Sequence, residues 1–225
     1  MPSIVADVAR VSLFAGLTEH ALASLADVAH LRRLARGQIL FSEGEPSDYL
    51  FLVRAGRLRV FLASPRGEEL TLAVVGAGET LGELSVLDRQ PRSASVAALE
   101  ATDLIAIAGD DVRALFVTNP QALYSVAVGM AAAMRRLNGT AADLVFLDLP
   151  RRLAKLLLTE STSQPDGTIQ SELGMSQSGV AARLGVTRQS LNRALSGLAQ
   201  RGWITLDGTV VRIDDVSALS QFADS

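Results

Sequence analysis

The chain has 225 residues, 48% of them hydrophobic and 20% charged, which is typical of one or two globular domains. It contains no cysteine, which excludes disulfides, cysteine-bound zinc, iron–sulfur clusters and thiolate nucleophiles. Its net charge of −3 does not favour nucleic-acid binding, so any DNA contact must come from a local basic surface. No apolar run approaches the ~18 residues needed to cross a bilayer, and a secretory signal layout is lacking. We therefore expect a cytoplasmic protein with no membrane partner.

Residues 5–34 show helical periodicity, with a break at 13–18. Thr18 stands where a helix N-cap is expected, shortly before apolar residues spaced three and four apart. His20 and His30 fall in this helical stretch, ten residues apart and without other ligand types nearby. Metal sites need clustered ligands, so we predict solvated histidines and no bound metal.

Between residues 37 and 107 the pattern changes to short β-strands separated by glycines. Strands are predicted at 39–41, 50–53, 58–61, 70–74 and 104–107. Short strands without intervening helices indicate a β-barrel or β-roll. The glycine-rich run 76–82 lacks the strand–turn–helix setting of a dinucleotide-binding loop, so we exclude that function for it.

A turn-rich segment, residues 82–95, carries the groups that a ribose phosphate requires. Gly82 allows backbone N–H groups to approach an anion closely. The guanidinium of Arg92 offers a planar fork of donors to phosphate oxygens, and Ser93 adds a hydroxyl beside it. The Glu83 carboxylate can accept hydrogen bonds from sugar hydroxyls. This segment is therefore the predicted ligand site.

Residues 110–147 are predicted to form a short helix capped by Asp110 and a long helix that begins near Pro120. Along the long helix, one set of residues is spaced alternately by four and three: Val126, Met130, Ala133, Leu137, Thr140, Leu144 and Leu147. This heptad spacing is typical of a helix that pairs with another helix, and it predicts a homodimer through these residues. The alternative is an amphipathic helix that packs on its own domain.

After a boundary at Pro150, residues 176–195 follow the pattern of a helix-turn-helix. Ala181 is small where two helices cross, Gly185 ends the first helix, and Thr187 caps the second. The predicted DNA-contacting residues are Ser176, Gln177, Thr187, Arg188, Gln189, Asn192 and Arg193. Residues 202–213 read as a hairpin with an Asp-Gly turn, which completes a winged helix-turn-helix.

Three features in this order resemble the Crp–Fnr family of bacterial transcription regulators: Gly82-Glu83-Leu84 followed by Pro91-Arg92-Ser93-Ala94, the long helix, and the winged helix-turn-helix. The resemblance implies an α+β fold. Its expected parts are an N-terminal cyclic-nucleotide-binding β-roll of the jelly-roll or double-stranded β-helix type (1–119), a dimerisation helix and hinge (120–149), and a C-terminal winged helix-turn-helix (150–225). It also implies a homodimer that is not an enzyme, binds pseudo-palindromic double-stranded DNA and contacts RNA polymerase.

The same resemblance assigns the ligand site and leaves its ligand open. The implied cyclic-nucleotide-binding residues are Gly82, Glu83, Leu84, Arg92, Ser93, Leu137 and Asn138. Glu83 is expected to hold the ribose 2′-hydroxyl, and Arg92 and Ser93 the cyclic phosphate. Leu137 and Asn138 occupy the positions that contact the base in the family, where other side chains are usual, so cyclic AMP is expected but cyclic GMP or another ligand stays open. A ligand-independent regulator with a degenerate site is a further alternative; no cofactor is expected.

Overall fold

The computed structural model describes residues 4–11, 14, 17–172, 177–208 and 210–224. The chain divides into two compact units: the first comprises residues up to 135 except 68–71, and the second residues 68–71 and 136 onward. The division falls inside a long helix, so the domain boundaries at 119 and 149 stay predictions. No helix within the described ranges is long and apolar enough to span a membrane.

The first unit begins with helices α1 (Ile4–Ala9) and α2 (Glu19–Asp27). The Thr18 hydroxyl accepts a hydrogen bond from the Ala21 N–H at 3.3 Å, which confirms the predicted cap. The prediction of helix up to residue 34 is wrong, because His30–Leu34 forms strand β1. These residues pair with strand β8 (Thr102–Ala108) along their whole length and bury only Leu34, so the ladder rather than local periodicity determines their conformation.

The described strands between residues 30 and 108 form two antiparallel sheets, with strand orders β1-β8-β3-β6 and β2-β7-β4-β5. Their bounds are β2 (Ile39–Phe41), β3 (Tyr49–Ala55), β4 (Leu58–Ala63), β5 (Glu69–Val75), β6 (Thr80–Leu81), β7 (Ser95–Ala98) and β8 (Thr102–Ala108). All five strands predicted in this region are confirmed, whereas β6 and β7 were missed. Buried residues of both sheets, among them Val53, Leu58, Val96 and Leu104, form one core. This is the predicted β-roll.

Three helices complete the region around the roll: α3 (Glu83–Asp88), α4 (Gly109–Thr118) and α5 (Pro120–Phe146). Helix α3 was not predicted. The N-cap of α4 is Ala108, so Asp110 lies in the first turn instead of capping the helix. The outer face of β3 and β8 packs against α4 and the first turns of α5, where Val112, Phe116 and Ala122 are buried in a common core.

The second unit contains α6 (Leu149–Thr159), β9 (Ser161–Ser163), β10 (Ile169–Glu172), α7 (Gln177–Leu184), α8 (Arg188–Gln200), β11 (Ile204–Asp207), β12 (Val210–Ile213) and α9 (Val216–Asp224). The described strands form a sheet of order β11-β12-β10-β9. Residues 161–163 were predicted as loop but form β9, because a turn stabilised by the Gln164 N–H to Thr168 carbonyl bond (2.8 Å) returns the chain onto β10. Pro150 lies in the first turn of α6, whose N-cap is Asp148.

Candidate functional sites

Helix α3 brings three of the predicted ligand-binding residues, Gly82, Glu83 and Arg92, together at its N-terminal end. Gly82 is the N-cap, with a φ of 89° that side-chain-bearing residues rarely adopt. A Cβ at this position would collide with Nη1 of Arg92 and would lie 2.7 Å from the Tyr49 carbonyl oxygen. Glycine is therefore required here because Arg92 packs directly against the backbone.

The Arg92 side chain points inward and is only 3% exposed. Its Nη2 donates to Ser47 Oγ at 2.6 Å and to the Tyr49 carbonyl at 2.7 Å, and its Nη1 donates to the Gly82 carbonyl at 3.2 Å. The guanidinium carbon lies 4.2 Å from the ring centroid of Phe41. Burial lowers the pKa of Arg92, an effect that the nearby Glu83 carboxylate opposes. Arg92 is thus a buried cation bound to neutral acceptors.

Two buried polar atoms of this region have no hydrogen-bond partner: Oε2 of Glu83 and Nε of Arg92. Leaving a buried polar group unsatisfied costs about 1–3 kcal/mol, so such groups call for an explanation. A ligand that carries both a hydroxyl and an anionic group has the chemistry to satisfy them. Ser93 and Leu84 are exposed, which leaves the Ser93 hydroxyl accessible.

Glu83 provides a testable consequence of this burial. Desolvation is the largest influence on the carboxyl and raises its pKa. The folded state therefore holds this proton more tightly than the unfolded chain does, and the free energy of unfolding should fall as the pH rises through the raised pKa. Glu83→Gln should remove that dependence and stabilise the protein at neutral pH by about 1 kcal/mol, as measured by urea unfolding from pH 4 to 8.

Glu100→Gln is the matched control for this prediction. The pKa of Glu100 is lowered, chiefly by its hydrogen bond from Arg57, so its contribution to stability has the opposite sign. Stability from the Arg57–Glu100 pair is present at neutral pH and declines as the pH falls through the lowered pKa. An unfolding free energy at pH 7 that is lower in Glu83→Gln than in the wild type would contradict the prediction.

A hydrogen-bonded network that sequence reasoning missed adjoins Arg92. Arg113 of α4 donates through Nη1 and Nη2 to the two carboxylate oxygens of Asp48, at 2.7 Å each. It also donates to the Val86 carbonyl of α3 at 2.9 Å and to Asp110 Oδ1 at 2.6 Å. Asp48 and Arg113 are 65 positions apart in the chain, and neither belongs to a motif. The i,i+3 spacing of Asp110 and Arg113 is the single local signal that pointed to any part of it.

The exposed surface of α5 only partly agrees with the predicted dimer residues. Val126 is 5% exposed and belongs to the core of its own unit. Its assignment to the dimer interface is therefore corrected, because a side chain buried within the protomer has little surface left to contact a partner. Leu147 follows the last residue of the helix and is half-buried. The other predicted positions are accessible to differing degrees, with Met130 at 38%, Leu137 at 54% and Leu144 at 45% exposed, Thr140 exposed and Ala133 half-buried. Asn138, at the predicted base-contact position, is also exposed.

The helix-turn-helix is formed by α7 and α8. Ala181 is 3% exposed at their crossing, Gly185 has a φ of 65° in the turn, and the Thr187 hydroxyl accepts from the Ser190 N–H at 3.2 Å. These three local predictions are confirmed. The exposed side of α8 carries Arg188, Gln189, Asn192 and Arg193 and continues through Ser196 and Gln200.

Two details refine this surface. Gln177, at the start of α7, accepts a hydrogen bond from Nε of Arg188 at 3.2 Å and thereby orients that guanidinium. In the wing, Nε of Arg212 donates to Asp214 at 2.7 Å, so this arginine is neutralised by a neighbouring carboxylate. Ser176, also predicted to contact DNA, lies outside the described residues.

Comparison with known proteins agrees with both parts. Residues 31–119 match the model of the cyclic nucleotide-binding domain, and residues 151–222 match the Crp-like helix-turn-helix domain. The chain is 32% identical over 218 residues to a CRP-like cAMP-activated global transcriptional regulator of Mycobacterium tuberculosis, covering 96% of this chain and 97% of the relative. It is 30% identical over 215 residues to the cyclic AMP receptor protein of Thermus thermophilus, covering 94% and 96%.

Solved structures show the same architecture. A CooA mutant from Carboxydothermus hydrogenoformans is similar with a TM-score of 0.77 and 25% identity, over 88% of each chain. The relatives are transcriptional regulators rather than enzymes, and the matches together span both the roll and the helix-turn-helix. The chain therefore belongs to the Crp–Fnr family of DNA-binding transcriptional regulators and carries a cyclic nucleotide-binding domain.

Proposed function

We propose that the protein is a homodimeric transcriptional regulator whose DNA binding is controlled by cyclic AMP. The observation that carries this proposal is the pair of buried, unpartnered polar atoms on Glu83 and Arg92. A 3′,5′-cyclic nucleotide has a ribose 2′-hydroxyl for the carboxylate and an anionic phosphodiester for the guanidinium. The Mycobacterium tuberculosis and Thermus thermophilus relatives are both named for cyclic AMP, which favours adenine as the base.

In this proposal the phosphate competes for donors that now serve neutral acceptors. A charge-assisted bond between guanidinium and phosphate is roughly twice as strong as a bond to a neutral oxygen, so the exchange is favourable. The exposed Ser93 hydroxyl supports the phosphate, and Gly82 and Leu84 contribute through the backbone. Leu137 and Asn138 are the proposed base contacts, Asn138 through its side-chain amide.

The exposed apolar surface of α5 supports the homodimer. Its exposed large apolar side chains are Leu123, Tyr124, Val128, Met130, Met134, Leu137, Leu144, Val145 and Phe146. A single helix with this much accessible apolar surface is typical of an interaction site. A two-fold dimer would present two α8 helices to successive major grooves about 34 Å apart, and a pseudo-palindromic operator follows from that symmetry. RNA polymerase is the proposed protein partner.

Leu144→Asp should dissociate the dimer. The substitution places a charge in an interface where we propose that an apolar side chain is buried, and an unpaired buried charge is strongly unfavourable. Sedimentation equilibrium at micromolar concentration should show monomers for this variant and dimers for the wild type. Val117→Asp, at a valine of α4 that is 82% exposed, is the control and should remain dimeric. A dimeric Leu144→Asp protein would contradict the proposed interface.

Operator binding with and without nucleotide tests the proposed function. Duplexes selected from a random library by the full-length protein should bind more tightly in the presence of cyclic AMP than in its absence or with cyclic GMP. A coupling of about 5–150-fold is the usual range for allosteric effectors. Equal affinity in all three conditions would favour the second candidate, a ligand-independent regulator. That candidate is supported by the hydrogen bonds that both Arg92 Nη atoms already donate to protein acceptors.

A further inference from the structure

Residues 47–49 are held by two separate groups, Arg92 and helix α4. From the ligand site, Nη2 of Arg92 donates to Ser47 Oγ at 2.6 Å and to the Tyr49 carbonyl at 2.7 Å. Asp48, between them, is bound by α4 instead. Its two carboxylate oxygens accept hydrogen bonds from Nη1 and Nη2 of Arg113 at 2.7 Å each. Its carbonyl oxygen accepts a hydrogen bond from the Gly109 N–H at 2.8 Å.

The α4 side of this arrangement is closely fitted. A Cβ on Gly109 would collide with Oδ1 of Asp48 and would lie 2.8 Å from Nη1 of Arg113, so glycine is required for Asp48 to approach the helix. Arg113 also binds the Val86 carbonyl of α3 at 2.9 Å. The Asp48–Arg113 contact therefore fixes both the segment 47–49 and helix α3 to the first turns of α4.

Helix α4 leads directly into α5. Asn119 alone separates the two helices, and the first turns of α5 share a core with α4 through Val126 and Phe116. A shift in the position of the start of α4 can therefore be transmitted to the start of α5 through this core. Hydrogen bonds and side-chain packing form a continuous connection from Arg92 through residues 47–49 and Arg113 to α5.

We propose that residues 47–49 act as a relay that reports the bonding state of Arg92 to α4, with Arg113 as its positioning residue. The inference rests on the proposed function, since the event to be reported is the binding of a phosphate to Arg92. A phosphate that accepts the hydrogen bonds of Nη2 replaces the Ser47 hydroxyl and the Tyr49 carbonyl as acceptors at the same time. Asp48 then loses the contribution of Arg92 on both of its flanks, while the β3–β8 ladder at Tyr49 and the contacts with α4 remain.

A purely structural network makes a different prediction. If Arg113 only joins α3 to α4, the hydrogen bond from the Gly109 N–H to the Asp48 carbonyl is indifferent to Arg92. If residues 47–49 are a relay, removing the Arg92 donors loosens Asp48, and the Gly109 amide exchanges its proton faster. The two cases differ without any nucleotide being present.

Amide hydrogen exchange on the full-length protein is therefore the first experiment. Arg92→Gln should accelerate exchange at Gly109 about tenfold, the effect expected when a charge-assisted restraint is lost locally. Arg57→Gln is the control, because it removes another guanidinium of the roll, one that donates to the two Glu100 carboxylate oxygens at 3.2 Å each, and it should leave Gly109 unchanged. Wild-type exchange at Gly109 in Arg92→Gln would overturn the relay, whether or not the protein binds a nucleotide.

The second experiment measures the ratio of operator affinities with and without cyclic AMP. Arg113→Gln should bind cyclic AMP with an affinity within about threefold of that of the wild type. Its ratio of operator affinities should be about tenfold smaller than that of the wild type. Arg113→Lys retains the charge without the two-point fork and should recover part of it. An unchanged ratio in Arg113→Gln would overturn the relay. If Arg113→Gln does not fold, Asp48→Asn serves the same test. A wild type that does not bind cyclic nucleotides would instead contradict the proposed function and leave the exchange result to decide the relay.

Discussion

Arg92→Gln should weaken cyclic AMP binding by about a hundredfold, the largest effect expected of any single substitution in the roll. Arg92 is the residue of segment 82–95 whose charge and planar donors match a phosphodiester, whereas glutamine is neutral, shorter and lacks the planar fork. Isothermal titration calorimetry on the wild type and the variant measures the difference directly. The affinity of Arg92→Lys for cyclic AMP should lie between those of the wild type and Arg92→Gln, because lysine keeps the positive charge but lacks the planar fork of donors.

Arg57→Gln is again the control, since it removes a guanidinium from the roll without touching the proposed phosphate position. Its affinity for cyclic AMP should equal that of the wild type. Thermal unfolding of each variant separates lost binding from lost folding, because three protein acceptors lose their donor when Arg92 is replaced. Wild-type affinity in Arg92→Gln would remove the phosphate role and favour the ligand-independent regulator.

The features that sequence reasoning predicted correctly are those in which neighbouring residues determine the structure. The Thr18 cap of α2 depends only on residues of its own first turn, whereas helix α3, between Gly82 and Arg92, was not predicted. The Thr187 cap and the Gly185 turn are local in the same sense. A short segment with its own turn and cap chemistry can be predicted before any tertiary contact is known.

What was missed depends on contacts between distant parts of the chain. Ser47 meets Arg92 across 45 positions, and Asp48 meets Arg113 across 65. Strand β1 exists because β8 offers it a ladder. The heptad spacing along α5 could not reveal that Val126 is used by its own unit, because periodicity identifies an apolar face but not what covers it. The role of a buried arginine therefore cannot be assigned fully until the acceptors of its hydrogen bonds are known.

Arg188→Ala should weaken operator binding by about 1–3 kcal/mol for each recognition helix, and a symmetric dimer carries the change twice. Arg188 is exposed in the first turn of α8, where side chains of a recognition helix reach base edges, and a guanidinium suits guanine O6 and N7. Gln177→Ala should produce a smaller loss, because it leaves the Arg188 guanidinium in place and removes one hydrogen bond that orients it. Fluorescence anisotropy with a selected operator measures both. Arg201→Gln is the control, an arginine of the same unit that stacks 4.8 Å from the Trp203 ring centroid.

Affinity for random duplex DNA determines which kind of contact Arg188 makes. Loss of a base contact weakens operator binding while non-specific affinity and its salt dependence stay nearly unchanged, whereas loss of a phosphate contact weakens both and lowers the salt slope by about one. Arg193→Ala provides the comparison, since its guanidinium lies one turn further along the helix, 3.4 Å from Ser190 Oγ. Because the wing arginine Arg212 is already paired with Asp214, we expect α8 to contribute phosphate contacts as well as base contacts. We therefore expect Arg188→Ala to reduce specificity and Arg193→Ala to reduce the salt slope, and equal losses on operator and random DNA for Arg188→Ala would reverse that assignment.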